Sequence, residues 1–256
     1  MAFIDILALE EALLLLSAVL VAYVGFTSLL AMRRNDVAAL KSGLKGAAIP
    51  LGGLGAVATI FGVWGEMVWP YPAPYLTSYN ILFNDVYLLF GLTLLSLAVS
   101  MALSLKLQYA GLFALVAGGI TIGYAWNGYV LGMTKEPLYT FLLFSGFGLA
   151  GLVAFPATVM TDHFVAHPDG TAFAFTSRST ARRTVSIQSS SRAAQPIVPV
   201  GADGKPDTSM AVRLPFRLPV WVTVSMLVFI VSLALAAFAA AYFLETTVPA
   251  HLASAP

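Results

Sequence analysis

Residues 12–32 read ALLLLSAVLVAYVGFTSLLAM, an apolar run with no charged side chain, closed by Arg33 and Arg34. A helix of about 20 apolar residues crosses the hydrocarbon core of a bilayer, so this run is long enough to span one. Comparable runs recur at 46–65, 86–105, 108–132, 138–161 and 218–244. Lipid offers backbone amides no water to bond, so each run is expected to be helical. The runs are also too long and too evenly apolar for the alternating strands of a membrane barrel.

Composition agrees. Of 256 residues, 59% are hydrophobic and only 10% charged, with a mean hydropathy of +0.87, more apolar surface than one soluble core can hide. The expected fold is therefore all-α, a polytopic membrane bundle of six transmembrane helices. Residues 1–164 would form a five-helix membrane region, 165–217 a flexible basic loop, and 218–256 the sixth helix with a short tail. The first nine residues hold Asp5 and no basic residue, the reverse of a secretory signal, so the first run is expected to stay in place as a span.

Charge asymmetry predicts which way the spans point. Arg33, Arg34, Lys41 and Lys45 fall in the first connection, Lys106 in the third, and seven more basic residues from Arg178 to Arg217 in the fifth, so twelve of the thirteen lie on one side. Basic loops are retained in the cytoplasm. Both termini are then expected outside a plasma membrane, along with Asp5, Glu10, Glu11, Glu66, Asp85, Glu136 and Glu245. Trp64, Trp69, Trp126, Tyr71, Tyr75, Tyr79 and Tyr129 would form an aromatic belt at that outer edge.

Within lipid, helices associate through close contact between small residues. Sets spaced by four recur: Ala48, Gly52 and Ala56; Ser96, Ser100 and Ser104; Gly119 and Gly123; Gly146, Ala150 and Ala154; Ser232, Ala236 and Ala240. Each set shares one helix face, and a compact bundle is expected.

Between the second and third spans, GEMVWPYPAPY (65–75) is followed by NILFND (80–85). Glu66, Asn80, Asn84, Asp85, Asn127 and Lys135 should all lie near one depth, the outer leaflet, with Asn127 continuing the Gly119–Gly123 face toward its neighbours. Ionisable groups at membrane depth are costly and usually meet a partner, a cavity or a pathway. These six make a candidate outer polar site for an ion, a proton or a small polar ligand. The competing interpretation is that Glu66 and Asp85 reach interfacial water, with Asn84 capping the helix that Asp85 begins.

Other chemistry finds little support. The three histidines, His163, His167 and His251, sit outside the cores of the spans, which argues against a membrane b-type haem, and no cofactor is expected. Asp162, His163 and His167 have spacing compatible with a metal if helical, although Pro168 follows at once and Asp162 more simply marks a helix end. There is no cysteine, and no P-loop, nucleophile elbow or zincin motif marks an enzyme. The segment from His167 to about Arg213 is rich in Ser, Thr, Arg, Pro and Gly, a composition expected to stay unfolded. In it Arg178, Arg182 and Arg183 would contact anionic lipid. The net charge of +1 gives no reason to expect nucleic acid.

The run YPAP, then NILFND and VYLLFG, resembles an uncharacterised family of archaeal and bacterial membrane proteins, domain of unknown function 981, over about residues 45–161. Its most specific stretch is Pro74 through Gly91, with Tyr79-Asn80-Ile81-Leu82-Phe83, an acid, and then Phe90-Gly91. The resemblance implies the architecture and the outer polar cluster, and no activity. The long Arg/Ser connection and the last span depart from it. Together these features fit first a non-catalytic subunit or accessory of a larger membrane complex, with other membrane subunits or copies of itself as partners besides the bilayer. The alternative is a small transporter or channel using the outer polar site, and a third option is a membrane enzyme using the same carboxylates with an external metal.

Overall fold

The computed structural model describes residues 6–68, 70, 80–166 and 220–254, with side chains from 7 onward and up to 246. All elements among these residues are helical: α1 (Ile6–Arg33), α2 (Val37–Val68), a π turn (Asn80–Asn84) running into α3 (Asp85–Ala102), α4 (Gln108–Val130), α5 (Pro137–Ala166) and α6 (Val220–Ser254). Six helices are long and apolar enough to cross a membrane, the character of a multi-pass membrane protein. The helices outrun the apolar windows at several ends. α1 begins at Ile6, so Glu10 and Glu11 belong to its second turn. Of the loop expected over 165–217, residues 165 and 166 continue α5, and the remainder, with His167, Arg178, Arg182 and Arg183, lies outside the described residues.

Three of the connections are tight. α1 ends with Asn35 at φ 53°, α3 with Ser104 at φ 54° and α4 with Gly132 at φ 59°. In each, the next amide reaches back across the turn, Asp36 N to Ala31 O, Leu105 N to Ser100 O and Met133 N to Gly128 O. This left-handed closure satisfies carbonyls that a helix end would otherwise leave unbonded. Asp36 then starts α2 by accepting a bond from Ala39 N at 2.9 Å, a helix N-cap.

Such short turns make successive helices antiparallel. Each packs on its neighbours in sequence, and α6 closes against α1, so the six form a ring. Its seams are built from glycine. A Cβ at Gly62 of α2 would stand 2.7 Å from Leu88 Cα of α3, and one at Gly118 of α4 would stand 2.5 Å from Gly148 O of α5. Backbones approach that closely only where side chains are absent, and the contact supplies the dispersion energy that holds helices together in lipid. The expected sets on α5 and α6 are at seams: Gly146 faces Ser232 O and Ala236, and Ala150, Ser232, Ala236 and Ala240 are buried. The Ser96 and Ser100 hydroxyls bond carbonyls of their own helix. The Gly119–Gly123 set is a correction: both residues face away from the bundle with open space over them. α4 packs instead through Gly111, Ala114, Gly118 and Ala125. Trp64, Trp126 and Tyr129 are exposed on the outer surface, and Trp69, Tyr71, Tyr75 and Tyr79 lie outside the described residues.

Candidate functional site

Two polar regions among the described residues have their acids at the end where α1 begins. The first is at the α2–α3 junction. Glu66 lies in the last turn of α2 and Asp85 opens α3. The Glu66 carboxyl lies against Asp85, and the Tyr124 hydroxyl, from α4, donates to Asp85 Oδ2. Glu66 Oε1 is buried with no hydrogen-bond partner among the described residues. Two carboxyls and a phenol from three helices thus meet at one point. Such a pair can share a proton or hold a cation between its oxygens.

The π turn explains how the neighbouring amides are placed. Its wider i→i+5 winding adds a residue ahead of α3 and brings both Asn80 and Asn84 inward, at 1% and 0% exposure. Asn84 does not act as a capping side chain. Its backbone is helical and its side chain makes no cap bond, because the chain continues through the π turn into α3 instead of starting fresh there. Its amide packs onto Gly65, where a Cβ would fall 2.5 Å from Asn84 Cγ. Neither Asn84 Oδ1 nor Nδ2 has a hydrogen-bond partner among the described residues, an expensive state for a buried amide.

Of the six residues anticipated here, Glu66, Asn84 and Asp85 come together, and Asn80 is buried one turn before them. Asn127 does not join. It is exposed on the outer face of α4, and its Nδ2 donates to Gly123 O of its own helix at 2.9 Å. Lys135 is exposed in the turn between α4 and α5. Tyr124 escaped the sequence reading because nothing local distinguishes it from a belt tyrosine.

The second region is inside the ring, where a cavity of about 150 Å³ runs between the helices, α2 contributing only Leu44. Glu10, Glu11, Phe83, Tyr87 and Phe144 line one end, and Ser28, Met101, Thr161 and Met226 line the other. Glu10 and Glu11 are 2% and 1% exposed. Placed just ahead of the apolar window that starts at 12, they read as tail acids, yet the helix that begins at Ile6 carries them into the interior. Tyr87 is equally buried, and its hydroxyl has no hydrogen-bond partner among the described residues.

At the opposite end of the ring, Asp162 is used structurally. Its two oxygens accept Leu107 N at 3.0 Å and Gln108 N at 2.8 Å, capping α4 from α5. That engages both carboxylate oxygens of the strongest member of the metal candidate set. His163 follows it in α5, and His167 lies outside the described residues. Among the described residues no three His, Cys, Asp or Glu side chains are grouped to hold a metal.

A family model described as "Protein of unknown function (DUF981)" matches residues 1–172. The match takes in α1 as well as the 45–161 stretch, and it stops before α6. No curated protein and no solved structure matches the chain.

Proposed function

The chain belongs to the DUF981 family of unknown function, and from that premise we propose that it is a small membrane transporter or channel that handles a proton or cation at Glu66, Asp85 and Tyr124. One observation carries this. Two carboxyls from different helices meet beside a phenol, and paired acids at the end of a span are costly unless they share a proton or a cation. The pairing costs a scaffold helix desolvation, and it gives an ion or proton pathway a place to hold its cargo. In this reading the acidic end and both termini face outward and the basic turns face the cytoplasm, following the charge bias of the connections.

The test is reconstitution in vesicles carrying proton- and potassium-sensitive dyes. Wild-type protein is expected to pass one of these ions, and Glu66→Gln and Asp85→Asn to slow it by about tenfold or more while the folded protein persists. Wild-type rates in both variants would sink the proposal. Orientation is read in intact cells from Ser190→Cys and an impermeant maleimide, the chain having no cysteine of its own. Labelling from outside the cell would reverse the sidedness.

The accessory-subunit role keeps one specific observation in its favour. Gly119 and Gly123 form an open notch on the outer face of α4, the kind of surface on which a second membrane helix packs.

A further inference from the structure

The interior cavity is distinct from the Glu66–Asp85–Tyr124 cluster and plays no part in the function proposed above. Its lining is polarised. Glu10, Glu11 and Tyr87 are the only ionisable side chains among the described residues that line it, and all three sit at one end. Two aromatic rings share that end, Phe83 and Phe144, in edge-to-face contact with centroids 5.3 Å apart. From Glu10 to Ser28, both lining residues of α1, the cavity follows eighteen residues of helix, roughly 27 Å at the usual rise. Past the acidic end its wall is apolar apart from small hydroxyl residues.

We propose that this cavity binds an elongated organic cation, with an ammonium group beside Glu10 and Glu11 and an alkyl or aryl body extending down the ring. Each part of the lining selects for part of that chemistry. Buried carboxyls favour a positive head and repel an anionic one. Aromatic faces beside them attract ammonium carbons through cation–π contact. The Tyr87 hydroxyl, close enough to feel the charge of Glu10 and buried without a hydrogen-bond partner among the described residues, is available to a polar head. An inorganic ion would leave the long apolar wall unused, and a plain hydrocarbon would gain nothing from the acidic end.

The experiment uses the full chain in phosphatidylcholine nanodiscs, with empty nanodiscs as the blank, titrated with decyltrimethylammonium, decanol and decanoate. These share a chain length and differ in head charge. The ammonium compound is expected to bind about tenfold or more tightly than decanol, with decanoate weakest. Glu10→Gln combined with Glu11→Gln should remove that preference, and Tyr87→Phe should weaken ammonium binding by a few-fold. Equal binding of all three compounds would mean that the cavity accepts any acyl chain and would overturn the proposal, as would unchanged ammonium affinity in the double variant. Should the double variant fail to fold, the ranking of the three compounds on wild-type protein decides alone. Glu66→Gln is expected to leave ammonium binding intact, so this site and the ion site fail separately.

Discussion

The two ends of the ring treat their carboxylates differently. At the end holding the α3–α4 turn, Asp162 spends both oxygens on the backbone amides of Leu107 and Gln108. At the other end, Glu66 and Asp85 lie against each other, Asn84 is buried with an amide unbonded among the described residues, and Glu10 and Glu11 line a cavity. The carboxylates therefore divide into one that closes a helix end and others that face each other or a cavity. What sets Asp162 apart is its place beside the first amides of α4, which give its carboxylate two bonds at once.

Three substitutions sharpen or break this contrast. Asp162→Ala should have the largest effect, a loss of about 2–3 kcal/mol for two charge-assisted bonds to amides left without acceptors, seen as a lower unfolding midpoint in mild detergent with ion passage per folded molecule unchanged. A fall in ion passage at constant fold would show that this end also belongs to the pathway. Asn84→Leu should be smaller and opposite in sign, raising stability by up to about 1 kcal/mol by removing a buried amide with unmet bonds; a destabilised protein would reveal that the amide is bonded in the membrane. Asn127→Ala should change stability by less than about 0.5 kcal/mol, since the side chain is exposed and bonds its own helix. A larger loss, or a change in oligomeric state, would make the outer face of α4 an interface.

The six spans were legible because a bilayer demands long apolar helices and the sequence supplies six such runs. Turn chemistry was not. Asn35 and Ser104 adopt the left-handed conformation that glycine usually takes, and no pattern marks them out. Glu66 and Asp85 were found because acids beside apolar runs are conspicuous, but Tyr124, which binds Asp85, comes from a different helix and could be joined to it only by the fold. Asn127 was misdirected because α4 carries small residues on two faces. Gly119 and Gly123 are as well spaced as Gly111 and Gly118, and periodicity cannot say which pair meets a neighbour. That Glu10 and Glu11 line an interior cavity was hidden because hydropathy locates the start of an apolar run, not the start of the helix that contains it.

α6 fills the gap between α5 and α1, and through Met226, Phe229 and Leu233 it walls one side of the interior. It also lies beyond the 1–172 region shared with the family. Five staves without it would make a trough open to acyl chains, with Ala18 and Ala150 bared along its rim. The wall that completes the chamber is thus supplied from outside the matched region.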